Sequence, residues 1–347
     1  MRRRAHPPRP DVEKRHEAIG FTFSRMYGEA YWDETAHWEF SLDEIETVVE
    51  DPTTELWHLS LDLVDRVIAD EKLLARLRIP EHAWDAIAAS RRDGEPSLYG
   101  RFDLSWDGHG PAKALEFNAD TPTALFESSI VQWTWMNDGV ERGFLARETD
   151  QFNSLHERLV ERLAQVTRGR KLHLTAMTAS IEDTSTVAYL ADCAVEAGLE
   201  AEILDIAEVG LLGERFVDLA DRPIETLFKL YPWEWLFAED FGRSPAIRAT
   251  RFVEPALKAI LANKGAMALL WDLAPGHPNL LPTFFDDDPR RDRIGPSHAT
   301  KPLFSREGGN VLLVENGRLL ARSEGTYGAE GSGVQQLAPL ARGEGGH

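Results

Sequence analysis

The sequence predicts a mixed α/β protein, and three patterns carry the prediction. Two stretches near residue 100 alternate polar and apolar residues about a turn-rich centre. A strand–helix–strand succession follows from residue 171, and the last quarter is rich in strand formers and glycine. The 347 residues leave room for two or three packed domains. With 43% hydrophobic and 28% charged residues the composition is that of an ordinary globular protein.

Residues 1–10 are basic but lack the apolar stretch of a secretory signal, so they read as a flexible arm. Residues 11–20 read as a short amphipathic helix. Ser41-Leu-Asp-Glu44 is a capping box that opens a helix. Between 53 and 69, Leu56, Leu59, Leu63 and Val67 recur at three- and four-residue steps, the stripe of a helix with one buried face. His58 and Asp62 lie one turn apart on it; a solvated or capping pair is the plainer reading than metal ligation.

Arg101-Phe-Asp-Leu-Ser-Trp106 and Ala112-Lys-Ala-Leu-Glu-Phe-Asn118 flank the turn formers Asp107-Gly-His-Gly-Pro111, which together predict a hairpin. Thr121 followed by Pro122 fits the N-cap and first position of a buried helix over 124–137. Residues 171–177 and 200–204 read as strands about a helix over 186–197, a βαβ unit that implies a parallel sheet; 226–230 reads as a further strand. A helix over 254–263 leads into the final strands. The expected divisions are the arm 1–10, an N-terminal part 11–165 holding the hairpin, a βαβ domain 166–255, and a last part 256–347.

The formal charge of −20 argues against a nucleic-acid partner, because an acidic surface repels phosphate backbones. No run approaches the roughly 18–20 apolar residues of a membrane span. A single cysteine, Cys193, allows no intrachain disulfide and fits a reducing, cytoplasmic setting.

Three constellations could carry chemistry. Along the hairpin, Arg101 and Asp103 share a face, as do Glu116 and Asn118. Carboxylates facing each other across a sheet are unfavourable unless a cation lies between them, and an oxygen-only set of this kind suits Mg²⁺. The same alternation also fits a solvent-exposed sheet face. Thr121, at the start of the next predicted helix, would add amide donors for an anionic group. Lys264 and Lys301 form the second set. Lys301 opens a strand running into Ser305-Arg-Glu-Gly-Gly-Asn310, a loop that either cradles phosphate or merely turns. Glu315-Asn-Gly-Arg318 fits a type I′ hairpin turn. Glu182 and Asp183, at the carboxyl end of the first βαβ strand, could attract an amine, or Asp183 could simply cap the helix. No Ser–His–Asp or Cys–His signature stands out, and Cys193 reads as core.

Taken in order, several tracts resemble the glutathionylspermidine synthase family, in its ATP-grasp synthetase part without the amidase domain. They are Gly-Arg-Phe-Asp at 100–103, Leu-Glu-Phe-Asn-Ala-Asp-Thr-Pro-Thr at 115–123, Asn-Lys at 263–264, Lys-Pro-Leu-Phe-Ser-Arg-Glu-Gly-Gly-Asn at 301–310, and Gln335-Gln336. Gly20-Phe-Thr-Phe and Tyr31-Trp-Asp-Glu resemble the family's opening. The resemblance implies an ATP-grasp-type sheet beside a Rossmann-like pre-ATP-grasp βαβ domain that serves the substrate. It implies an ATP- and Mg²⁺-dependent ligase joining a small-molecule or peptide carboxylate to an amine (polyamine or amino acid) through an acyl phosphate. Asp103, Glu116 and Asn118 would be the magnesium ligands. Arg101 would contact ATP phosphate and the acyl substrate. Lys264 and Lys301 would hold phosphates, Glu307 and Gly308 would close over them, and Gln336 would lie near the adenine. Thr121, Glu182 and Asp183 would face the acid substrate. Leu230 stands where glutathione-specific members use a hydroxyl-bearing residue, which points to an acyl substrate other than glutathione. Family members usually continue past the point where this chain stops, with strands that include another arginine, so a truncated, incomplete nucleotide site is implied. The alternatives are a non-catalytic relative that binds nucleotide or peptide, and a metal-dependent hydrolase.

Overall fold

The computed structural model describes residues 1–26, 28–338 and 340. The C-terminal tail 341–347, where no strand is expected, lies outside the described residues. The fold is mixed α/β, as predicted, and divides into two compact units.

The first unit comprises Met1–Ile45, Thr123–Tyr231 and Ala249–Val253. At its centre is a four-stranded parallel sheet in the order Arg251–Val253, Thr226–Lys229, Lys171–Ala176, Glu200–Asp205. The βαβ unit is present, with its helix, Ile181–Glu196, starting five residues ahead of the expected 186–197 and joining the two paired strands. The two central strands, Thr226–Lys229 and Lys171–Ala176, are buried almost throughout because helices and connections cover a parallel sheet on its faces. Ser180, not Asp183, caps that helix, accepting from the Asp183 amide at 3.2 Å. Cys193 is buried, and burial pushes its thiol up to about 11, so it packs as core.

The segment read as a flexible arm holds a strand. Arg2–Ala5 pairs antiparallel with Ala36–Glu39, and Arg4 Nε donates to Glu39 at 2.8 Å. Arg9 is buried and donates to Glu34 and Asp138 at 2.6 and 2.7 Å. Arginines that read as solvated in isolation are thus ordered by acids far along the chain. The predicted capping box is present, with Ser41 and Glu44 bonded reciprocally.

The second unit comprises Glu46–Pro122, Pro232–Arg248 and Glu254–His347. The helix Asp51–Ile68 buries Leu56, Leu63, Val64 and Val67, and leaves His58 and Asp62 exposed, the solvated pair expected of them. The 254–263 helix is broken: Glu254 lies ahead of a short helix Lys258–Leu261, and Lys264 caps a second, Gly265–Leu273. A five-stranded antiparallel sheet follows in the order Thr283–Phe285, Ser332–Gln336, His298–Pro302, Leu312–Glu315, Arg318–Arg322. Lys301 therefore lies near the end of its strand rather than opening it. Asn316 and Gly317 both have positive φ, 51° and 75°, as a type I′ turn requires.

Candidate active site

The site is assembled within the second unit. The strands Arg101–Ser105 and Lys113–Asn118 pair antiparallel, with Arg101 opposite Asn118 and Asp103 opposite Glu116. Phe102 and Phe117 stack at 3.8 Å on the other face, and Trp57 meets Phe117 edge-on. Gly100 is required there, because a Cβ would lie 2.8 Å from the Phe117 ring.

Strict alternation fails at one place. The register shifts after Asp103, so that Leu104 pairs with Ala114 and Leu115 is left over as a bulge. Leu115 thus has no partner in the register of the opposite strand. Its carbonyl instead accepts the Lys301 ammonium at 3.0 Å. An irregularity in the strand thus positions the lysine.

Five charged groups and an amide converge. Arg101 Nε donates to Asp103 Oδ1 at 2.8 Å. Asn118 Nδ2 donates to Asp103 Oδ2 at 3.2 Å and to Glu116 Oε1 at 3.3 Å. Glu116 Oε2 lies 3.3 Å from Lys264 Nζ and 3.8 Å from Lys301 Nζ. Lys264 is brought here by its own backbone, whose N–H donates to the Leu303 carbonyl at 2.9 Å, just past the Lys301 strand. Burial pushes the Glu116 carboxyl up, but the two lysines outweigh it and hold it below the usual carboxylate range. Burial holds Lys301 below the ordinary lysine range against the pull of Glu116. Opposite charges set face to face in this way favour the charged form of each.

The donor chemistry fits a hard divalent cation. Asp103, Glu116 and Asn118 supply oxygen ligands only, as Mg²⁺ prefers. In this structure the amide N–H₂ of Asn118 faces the two carboxylates. Its amide turned over would present oxygen to a cation held between them.

Beyond the Lys301 strand, the loop 303–311 takes Glu307, Gly308 and Asn310 through positive φ of 50°, 70° and 56°. The amides of Gly309, Asn310 and Val311 donate to the Arg306, Glu324 and Gly308 carbonyls at 2.8, 3.4 and 3.3 Å, so these reversals serve the loop's own turns and its junction with Glu324. Arg306 anchors the loop: Nε and Nη2 donate to Glu234 at 3.1 and 2.8 Å, and Nη1 donates to Thr121 Oγ1 at 2.6 Å. Thr121 is not an N-cap, because the next helix begins only after Ala124, which takes a φ of 72°. Its hydroxyl serves the loop arginine instead. Gln336 is exposed at the end of the strand Ser332–Gln336, opposite His298 in register.

Residues that the sequence patterns do not single out also brace the chain ahead of the hairpin. Glu254 accepts from the Leu98 and Tyr99 amides at 3.0 and 2.9 Å, and the buried Lys258 pairs with it and donates to the Tyr99 carbonyl. Asp120 accepts from the Trp233 amide at 2.8 Å. The i, i+4 spacing of Glu254 and Lys258 was the available signal.

In the first unit, Glu182 accepts from Thr123 Oγ1, and Leu230 is buried with its N–H on the Thr175 carbonyl at 2.7 Å. The same unit brings His173, Glu202 and Asp218 together with ligand atoms within 4.8 Å. Arg222 lies 2.7 Å from Asp218 and 3.0 Å from Glu202, and Lys171 also pairs with both. Two cations already compensate these acids, so the group reads as an ion-pair network.

The sequence model of the family described as Glutathionylspermidine synthase preATP-grasp matches residues 3–347. A Haemophilus influenzae protein provisionally named an acid–amine ligase is 40% identical over 323 residues, covering 89% of this chain and 79% of its own. The bifunctional glutathionylspermidine synthetase/amidase of Escherichia coli K12 is 26% identical over 315 residues, covering 82% of this chain and 49% of its own. The chain thus spans about half the length of that second relative. A crystal structure of a Methylobacillus flagellatus KT protein, provisionally named a γ-glutamylcysteine synthetase, aligns over 79% of this chain and 73% of its own. Its TM-score is 0.43 at 12% identity, too low to establish a shared fold. These relatives bear the names of enzymes that form carbon–nitrogen bonds. On the match to nearly its whole length, this chain belongs to the glutathionylspermidine synthase family.

Proposed function

We propose that the protein is an ATP- and Mg²⁺-dependent ligase of the ATP-grasp type that joins a carboxylate to an amine through an acyl phosphate. One observation carries the reading. A hairpin with oxygen ligands and an arginine converges with two lysines of the five-stranded-sheet region on Glu116, in a chain whose net charge is −20. Half-buried lysines gathered around one carboxylate in an acidic protein support a place for polyanion and metal together.

Asp103, Glu116 and Asn118 would hold Mg²⁺, which would neutralise phosphate oxygens as charge shifts during transfer. Lys264 and Lys301 would leave Glu116 for the nucleotide phosphates, and Arg101 would turn from Asp103 toward the transferring phosphoryl group. The substrate carboxylate oxygen attacks the γ-phosphorus and ADP departs, leaving the acyl phosphate. The amine then attacks the acyl carbon, loses a proton and expels phosphate. No side-chain nucleophile enters, so these residues contribute position and charge. Loop 303–311, through Glu307 and Gly308, would close over the phosphates, and Gln336 would lie by the adenine. Glu182, Asp183, Thr121 and Leu230 are the candidates for reading the acid. The named relatives support a peptide or amino-acid acid and a polyamine or amino-acid amine. The apolar, buried Leu230 favours an acid other than glutathione. No helix among the described residues is long and apolar enough to cross a membrane, which accords with the cytoplasmic setting we propose.

The test is phosphate release across paired panels of acids and amines. A ligase releases phosphate from ATP only when both partners are present. Affinity for ATP and Mg²⁺ without release in any mixture would assign a binding protein instead. Amide or ester cleavage without ATP would assign a hydrolase.

A further inference from the structure

The first unit contains a cavity of about 940 Å³ lined by none of the residues assigned above to the ligase chemistry. It lies among the strand Ala36–Glu39, the residues 40–45, the helix Gln132–Glu141 and the residues 144–152. Its walls are aromatic: Trp32, Trp38, Phe40, Trp135, Phe144 and Phe152 all line it. Trp38, Phe144 and Phe152 are 40%, 40% and 47% exposed, so wide ring surfaces face solvent at the mouth.

The charged lining has a single sign. Asp33, Glu39, Glu148 and Asp150 line the cavity, and among the described residues no lysine or arginine does. Arg4 reaches Glu39 from outside the lining, while Glu148 and Asp150 stand exposed on the rim. His37 also lines it, in a ring cluster with His6 and Trp135 at centroid distances of 5.1–5.5 Å. Burial, and then the neighbouring His6, hold His37 below the ordinary histidine range, so at neutral pH it adds no competing positive charge.

These features select among ligands. A phosphate or carboxylate would meet four acids; Arg4 pairs with Glu39 and Arg3 lies near Asp33, while Glu148 and Asp150 stand exposed on the rim. A purely apolar guest would cover ring surface but draw rim carboxylates out of water without a partner. A positive head group on an apolar stem satisfies both, since aromatic faces attract cations and carboxylates pair with them. The overall charge of −20 adds attraction at longer range. We infer that this cavity is a binding site for an organic cation, an ammonium group carried on an apolar stem.

The inference stands apart from the ligase reading, so it is tested with the full chain and without ATP. Calorimetric titrations at low salt compare choline with its neutral isostere dimethylbutanol, and butylammonium with butanol. The cations should bind about tenfold tighter than their isosteres, the gap narrowing as salt is added. Glu148→Gln with Asp150→Asn, both on the exposed rim, should lower cation affinity several-fold and leave the alcohols unchanged. Trp38→Leu should weaken the cations by roughly two- to fivefold at retained circular dichroism. Equal binding of cation and isostere, no binding at millimolar cation, or an unaltered cation affinity in the Glu148/Asp150 double variant would each overturn the assignment.

Discussion

The buried pair Glu254–Lys258 offers the sharpest test of how the candidate site is held. Both side chains are fully buried in the second unit and bonded to each other. Glu254 also takes the Leu98 and Tyr99 amides, and Lys258 takes the Tyr99 carbonyl, so one ion pair secures the chain two and three residues ahead of Arg101. Two unit charges 2.5 Å apart attract by roughly 6–7 kcal/mol at an effective dielectric near 20, and desolvation offsets most of this. Removing one partner therefore costs far more than removing both. Lys258→Met should destabilise by about 3–5 kcal/mol, because it strands the Glu254 carboxylate without a counter-ion. Glu254→Gln should cost a similar amount. The double variant should lose less than the sum of the singles, by about 1–3 kcal/mol. Urea unfolding measures the totals, and hydrogen exchange at the Leu98 and Tyr99 amides reports local release. A cost under about 1 kcal/mol for Lys258→Met, or strict additivity in the double variant, would refute the argument.

Four other outcomes are expected. Asp103→Asn and Glu116→Gln should each lower ATP-dependent phosphate release and raise the Mg²⁺ concentration needed for half-maximal rate; unchanged Mg²⁺ dependence in both would remove the metal assignment. Arg306→Ala should raise the KM for ATP several-fold while costing under about 1 kcal/mol of stability, since its pair with Glu234 is partly exposed; kinetics and a melting curve separate the two effects. Gly100→Ala should destabilise by about 1–3 kcal/mol, read by urea unfolding, because the new Cβ displaces the Phe117 ring. Hydrogen bonds from His16 and Arg9 outweigh burial and hold Glu34 at about 2 rather than 4.5. The depressed folded value means that its contribution, about 3 kcal/mol, is complete above pH 4.5 and is lost as pH falls through 2. Glu34→Gln should flatten the dependence of unfolding free energy on pH across that window.

What was legible in the sequence was whatever depends on neighbours in the chain. The hairpin, the βαβ unit and the Asn316-Gly317 turn rest on alternation, on helical periodicity and on a dipeptide suited to positive φ, all set within a few residues. The misreadings arose where a distant partner decided the local outcome. Thr121-Pro122 has N-cap chemistry, yet its hydroxyl is taken by Arg306, which is 185 residues away. Arg2–Ala5 is polar enough to stay solvated, yet it pairs as a strand with Ala36–Glu39. The Leu115 bulge had no glycine or proline to announce it; Ala114-Leu115 reads as part of a regular strand in any local window. That last case bears most directly on the site. A strand without the bulge would keep the Leu115 carbonyl within the ladder pattern, and Lys301 would lose the acceptor that holds it 3.8 Å from Glu116. The residue types that a polyanion site needs were visible one by one, whereas their convergence depends on a one-residue slip and on the Lys264 N–H meeting the Leu303 carbonyl. The attraction of a point charge for phosphate falls with distance and is screened beyond about 10 Å, so the placement, more than the inventory, determines whether these residues act together.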